Sequence, residues 1–137
     1  MNIDLHIHSR DCSDGKMTLP EIFKNASRIG LKLVSITDHD AVECQASAME
    51  LAREFGILYI SGIELNISFS HPRYANAKAK SLDILGYQYN IENEGILEKV
   101  KSLKEYRKER AERILEKINE EFAAENMELF SDRKSVV

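Results

Sequence analysis

Residues 31–40 read Leu31-Lys32-Leu33-Val34-Ser35-Ile36-Thr37-Asp38-His39-Asp40. An apolar, partly β-branched run ends abruptly in potential ligands, the pattern of a strand that feeds a loop at the end of a βα sheet. The surroundings fit this reading. Upstream, Thr18 and Glu21 have capping-box spacing, Leu19, Ile22, Phe23, Ala26 and Ile29 form a helical apolar stripe, and Gly30 stops it. Downstream, a second helix is expected from about Val42 to Phe55, closed by Gly56. Further strands are expected at Asn2–Ile7, at Ile57–Ser61 continuing through Gly62–Asn66, and at Ser81–Tyr87. Strands alternating with helices mean an α/β protein built of chained βα units.

The remainder of the chain is simpler. Ser70–Lys80 is polar and basic with Pro72, so it is expected to be a loop. From about Glu92 to Ala124, Glu, Lys, Arg and Leu dominate, which predicts one or two long solvent-facing helices. Asn126–Val137 shows no periodicity.

Composition excludes several classes. The chain of 137 residues carries 19 Lys+Arg against 23 Asp+Glu, a net charge of -4, which argues against a basic-patch nucleic-acid binder. Its apolar fraction of 43% is that of a folded soluble protein, and no run approaches the roughly 20 apolar residues that span a bilayer. No basic, apolar leader opens the sequence, so the default expectation is a reducing, cytoplasmic setting. Cys12 and Cys44 are too few for a disulfide framework; Cys44 is read as helix packing, and nothing near Cys12 marks it as a nucleophile.

The polar residues at the strand ends carry the chemistry. His6 and His8 stand two apart, so both rings point to one side and one ion can accept both; a harmless surface pair is the alternative. Asp14 follows in the next loop. Asp38, His39 and Asp40 are hard to explain as packing, although Asp38 or Asp40 could cap the next helix. Glu64 sits in apolar company, where an unpaired carboxylate costs roughly several kcal/mol, so it needs a metal or a buried Arg or Lys. Asp83 holds a similar position on the next strand, and His71 reads as solvated. Mixed imidazole and carboxylate donors without thiolate suit Zn, Mn or Fe, and such sites hydrolyse phosphate esters with hydroxide generated near neutral pH.

Asp4-Leu5-His6-Ile7-His8-Ser9, Ser13-Asp14-Gly15, Ile36-Thr37-Asp38-His39-Asp40 and Gly62-Ile63-Glu64 together resemble the first motifs of the polymerase-and-histidinol-phosphatase (PHP) domain superfamily. Leu85-Gly86-Tyr87 followed by a helical insert with Arg107, Arg110 and Arg113 is similar to its branch acting on nucleotides or RNA 5′ ends. The resemblance implies a distorted (β/α)7 barrel with up to three metal ions. This chain would supply about four parallel strands with their helices, residues 1–90, then a helical insert, 91–125, and an unstructured or aberrant tail, 126–137.

By motif, the resemblance implies that His6 and His8 bind the first metal and Glu64 bridges to the second, while Asp14 and His39 hold a third. Asp38 would orient its neighbours and, with Glu64, serve the reaction. Asp83 stands where many relatives have a histidine, so it is the candidate second-metal ligand. Arg107 and Arg110 are candidates for binding a substrate phosphate.

The implied activity is metal-dependent hydrolysis of phosphate mono- or diesters, on a phosphorylated small molecule or a nucleotide or oligonucleotide end. Histidinol-phosphate phosphatase is the alternative substrate reading. A truncated, non-catalytic fragment acting only through association is the alternative class, because the family's later motifs do not appear and no histidine follows His71. Half a barrel exposes an open sheet edge, so a homo-oligomer or a completing partner is expected.

Overall fold

The computed structural model describes residues 2–71, 73 and 79–130. The chain forms two compact units, Met1–Val100 and Lys101–Val137.

In the first unit, β1 (Ile3–Ile7), α1 (Leu19–Arg28), β2 (Leu33–Ile36), α2 (Gln45–Glu54) and β3 (Leu58–Tyr59) alternate as expected. The three strands form a parallel sheet in the order β1-β2-β3. Glu21 anchors the start of α1 by accepting the Thr18 N–H at 2.8 Å. Both helices end on a glycine with positive φ, Gly30 at 75° and Gly56 at 64°. Beyond each glycine the chain turns back, with the Leu31 N–H donating to Ala26 O and the Ile57 N–H to Ala52 O, both at 2.9 Å. Leu19, Ile22, Phe23 and Ala26 of α1 and Ala48 and Ala52 of α2 are buried with Val34 and Ile36 of β2. That apolar layer backs the parallel strands, and a second, smaller cluster of Val42, Ile63 and Val100 backs the segment that carries Glu64.

The expected fourth parallel strand is corrected. Gly62–Asn66 does not continue β3; it opens a separate strand, β4 (Gly62–Phe69), which pairs antiparallel with β5 (Lys80–Tyr87). Residues 70–79 are too short a connection for a helical crossover, which takes a dozen or more residues, so the chain can only return on itself. The start of β4 nevertheless runs parallel to the segment after β2, through a bridge between His39 and Glu64. The Glu64 N–H donates to Asp38 O at 3.2 Å and the Asp40 N–H to Glu64 O at 2.8 Å. Gly62 permits this approach, because a Cβ there would overlap Ser35 Oγ and lie 2.9 Å from Ile36 O.

Gln45, 1% exposed, fastens the two sheets together. Its Nε2 donates to Ile36 O at 3.0 Å and to Gly62 O at 2.8 Å, and its Oε1 accepts from the Tyr59 hydroxyl and the Gly62 N–H. Gln45→Leu keeps the volume but removes the amide from Ile36 O, the Gly62 N–H and the Tyr59 hydroxyl, while Gly62 O keeps the Tyr89 hydroxyl at 3.1 Å, so a loss of about 1–3 kcal/mol is expected in chemical denaturation. An unchanged midpoint would show that the apolar layer alone sets the sheet geometry.

Cys44 packs in the core as expected, but the pairing of the two cysteines is a finding of the structure. Cys12 and Cys44 are joined in a disulfide, with Cα atoms 6.1 Å apart, across a separation of 32 residues. Cys44 lies at the N-cap of α2 rather than within the helix, and neither Asp38 nor Asp40 occupies that cap. α3 (Glu94–Ala124) is one continuous helix. In the second unit, Asn119 on α3 pairs with the backbone of Phe130, accepting its N–H at 2.8 Å and donating to its carbonyl at 3.0 Å. Residues 131–137 of the expected tail lie outside the described residues. No helix among the described residues is long and apolar enough to cross a membrane.

Candidate metal centre

The ends of β1, β2 and β4 bring the motif residues to one place. His6 is on β1 and His8 follows it. The register against β2 shifts between Asp4 and Ile7, so an irregularity lies where the strand presents His6, and the His6 N–H turns to Asp4 Oδ1 at 3.2 Å. Glu64 enters from β4, aligned by its bridge with His39. Asp14 comes from the loop between β1 and α1. That loop folds over the Ser9 carbonyl, which accepts the N–H groups of Ser13 and Gly15, both at 3.1 Å.

Two groups of side chains result, sharing His8: His6, His8 and Glu64, and His8, Asp14 and His39. In the first, Glu64 Oε2 lies 3.0 Å from His6 Nε2 and 2.7 Å from His8 Nε2, and the two nitrogens are 3.1 Å apart. In the second, Asp14 Oδ1 stands 2.9 Å from His8 Nδ1, and Asp14 Oδ2 is 3.9 Å from His39 Nε2. His39 Nδ1 is 3.6 Å from Glu64. Among the described residues, the partners of the buried Glu64 carboxylate are thus imidazoles rather than an Arg or Lys. Side-chain exposure falls from 49% at His6 to 7% at Glu64, so the cluster is open on one side and closed beneath the carboxylate.

The donor set fits a divalent ion. Asp14 accepting from His8 Nδ1 leaves the Nε2 lone pair of His8 directed at Glu64, the carboxylate–histidine arrangement that orients a metal-binding ring. Donors 2.0–2.1 Å from a tetrahedral zinc stand about 3.3 Å apart, close to the spacings of the first group. The Asp14 carboxyl is held below its usual range, first by the His8 hydrogen bond. It is therefore an anion in the working range, as a ligand or an orienting group must be.

Asp38 is placed differently. It is 1% exposed, and its oxygens accept the Ser9 N–H at 2.6 Å and the Ser9 hydroxyl at 2.7 Å. Burial pushes its carboxyl up, and the two Ser9 bonds oppose that. Its side chain grips the residue after His8 instead of facing the histidine cluster. Asp83 pairs with Asn66 across the β4–β5 hairpin, accepting its Nδ2 at 2.7 Å, and joins neither histidine-containing group. Arg107 and Arg110 lie on α3 in the second unit, where Arg110 lines a shallow depression of about 240 Å³ with Tyr106, Arg113 and Lys117.

Three contributors do not stand out in the sequence. Ser9 carries Asp38, Ser13 Oγ accepts the His39 N–H at 3.1 Å, and the Tyr87 hydroxyl donates to Leu5 O at 2.7 Å. Burial, then the charges of Glu64 and Asp4, raise the Tyr87 pKa. Ser9, Ser13 and Tyr87 each stand inside one of the family-like motifs, which is the signal the sequence offers for them. Gly15 is equally particular, because a Cβ there would overlap the His8 carbonyl. Gly15→Ala is expected to cost about 1–3 kcal/mol and to loosen Asp14 from His8, read as a lower melting temperature. A melting temperature equal to wild type would show that the loop accommodates the methyl group.

The PHP domain model matches residues 4–124. The chain belongs to the PHP domain family. Among PHP relatives, it is 32% identical over 113 residues to a 3′,5′-nucleoside bisphosphate phosphatase of Chromobacterium violaceum, covering 82% of this chain and 36% of that protein. It is 28% identical over 115 residues to a 5′-3′ exoribonuclease of Haemophilus influenzae, covering 84% and 39%. A Bifidobacterium adolescentis structure, of a protein assigned as a metal-dependent phosphoesterase, superposes with a TM-score of 0.73 at 27% identity, over 88% of this chain and 39% of that one. The chain therefore spans well under half the length of these relatives. At the level the family shares, they are metal-dependent phosphoesterases on an α/β fold with a parallel sheet.

Proposed function

We propose that this PHP chain carries a metal centre for hydrolysing phosphate mono- or diesters of the nucleotide or RNA 5′-end type. The observation that carries the reading is the convergence of His6, His8 and Glu64 within 3.1 Å of one another, beside the group formed by His8, Asp14 and His39. In this reading His6 and His8 hold one divalent ion, Glu64 bridges to a second, and Asp14 with His39 holds another. Asp83 is the remaining candidate ligand, and reaching it means giving up Asn66. Residues 1–90 act as part of the barrel of a longer domain, 91–125 as its helical insert and 126–137 as the tail.

Bound Mn, Zn or Fe supplies Lewis acidity toward phosphoryl oxygen and lowers the pKa of water. The chain's own residues set the geometry. Asp14 keeps the His8 Nδ1 side occupied and aims Nε2; Asp38, through Ser9, fixes the backbone directly after His8. Arg107 and Arg110 are proposed to bind substrate phosphate through paired N–H groups. The bisphosphate phosphatase and the exoribonuclease among the relatives favour a nucleotide over histidinol phosphate.

Calorimetric titration of the chelator-treated chain with Mn is the test. At least one site per chain is expected, together with preference for a nucleoside bisphosphate over histidinol phosphate where turnover is seen. Absence of bound metal after gel filtration sinks the reading.

A further inference from the structure

The disulfide lies beside the metal centre without facing it. Cys12 stands two residues before Asp14, in the loop that presents Asp14 to His8. Its N–H donates to Ser9 Oγ at 3.1 Å, and that same oxygen donates to buried Asp38 and lies 3.9 Å from Cys44 Sγ. Cys44 is 7% exposed and packed into the core at the start of α2, whereas Cys12 is half-buried. One sulfur is therefore anchored in the core, and the other belongs to a half-buried residue that packs against that core from a loop tied down elsewhere by hydrogen bonds.

We propose that Cys12–Cys44 is a reversible thiol–disulfide modification site that latches the Asp14 loop to the core. Its opening loosens the hold of Asp14 on His8 and so weakens the metal centre. The first effect stands on the loop contacts alone; the second rests on the function proposed above.

The chemistry balances with a dithiol as reductant. One of its thiolates attacks Cys12 Sγ, the S–S bond breaks, and Cys44 leaves as a thiolate that takes up a proton. The second thiol then displaces Cys12 from the mixed disulfide. Two electrons pass to the protein, and the reductant leaves as a disulfide. Re-closure uses a peroxide: the Cys12 thiolate becomes a sulfenic acid, Cys44 attacks it, and water departs.

The loop's other bonds include those from the Arg10 N–H to Met17 O at 2.8 Å and from the Leu19 N–H to Asp11 Oδ2 at 2.8 Å, both local, and one from the His39 N–H to Ser13 Oγ at 3.1 Å, which ties the loop to the segment after β2. Opening the bridge thus removes the loop's covalent tie to the core while leaving its internal shape. The loop becomes a locally opening segment in an intact fold.

Hydrogen exchange on the wild-type chain, oxidised and then dithiol-reduced, is the experiment, with thiols counted by mass. Reduction is expected to speed exchange of the Cys12, Ser13 and Gly15 amides by about tenfold. It is also expected to weaken Mn binding by about tenfold, at the lower end of losses from disturbed ligand orientation. Mn is the probe because a hard ion does not seek the freed thiolates.

Cys44→Ser cannot bridge and is expected to match the reduced chain and ignore the reductant; if it does not fold, reduced and reoxidised wild type make the same comparison. Unchanged loop exchange after the bridge has opened overturns the latch, whether or not Mn binds. So does a chain that keeps two free thiols under mild peroxide. Faster exchange with unchanged Mn affinity overturns the link to the metal centre. Faster exchange with no Mn bound in either state supports the latch and overturns the function proposed above.

Discussion

Replacing Glu64 by Ala is expected to abolish metal-dependent stabilisation of the chain. Glu64 Oε2 is the atom on which the rings of His6, His8 and His39 close, at 3.0, 2.7 and 3.6 Å. It is also the buried member of its group, so no solvent-exposed acid can take its place. Loss of an outer partner of a metal ligand already costs about 10–100-fold in affinity, so removing this carboxylate is expected to cost at least about 100-fold. The readout need not involve turnover. At a Mn concentration about 100 times the wild-type dissociation constant, binding stabilises the native state by about 2.7 kcal/mol, seen as a higher melting temperature. Glu64→Ala is expected to show no such rise at the same Mn concentration. An equal rise in both proteins would mean that any ion sits elsewhere.

Asp38→Ala is expected to give the largest loss of stability. The substitution leaves the Ser9 N–H and hydroxyl without their acceptors at a position that is 0% exposed. Each stranded donor costs about 1–3 kcal/mol, so a total loss of about 3–4 kcal/mol is expected in denaturant titrations. That is a large share of the roughly 5–15 kcal/mol that holds a domain folded. Asp38→Asn keeps the volume and one acceptor and is expected to lose about half as much. Because Ser9 also carries the backbone of Ser13 and Gly15, Mn affinity is expected to fall alongside stability, and a double-mutant cycle with Ser9→Ala should show strong coupling. Additive effects of the two substitutions would remove Asp38 from its role behind the loop.

Much of the local order is legible in the sequence. The Thr18/Glu21 start, the Gly30 and Gly56 stops and the strand at residues 33–36 follow from capping and backbone sterics, which act within a few residues. The gathering of His6, His8, Asp14, His39 and Glu64 is legible too, because each lies on or directly after an apolar-faced strand or in the loop behind it, and such strands put these residues at one sheet edge. The direction of β5 is not legible in the same way. Alternation in Ser81–Tyr87 marks a strand but carries no sign of parallel or antiparallel pairing, and only the length of residues 70–79 hints at it.

Asp38 shows the limit within the site itself. Residue type and position alone leave Asp38 beside His39 as a possible ligand; the family resemblance gives it an orienting role, and its burial against Ser9 is what names the group it holds. Cys12 and Cys44 show the same limit at longer range. Two cysteines 32 residues apart carry no pairing information until α1 packs on the sheet and brings the first loop to the start of α2.

The sequence by itself determined the alternation of strands and helices, the family, and which side chains have the chemistry to hold a metal, because propensity, capping and donor type are properties of short segments. The tertiary structure alone decided that Asp38 turns to Ser9, which way the last strand runs, and that the two sulfurs are joined. Those depend on the packing of residues far apart in the chain, and distance in space is the quantity a linear pattern does not carry.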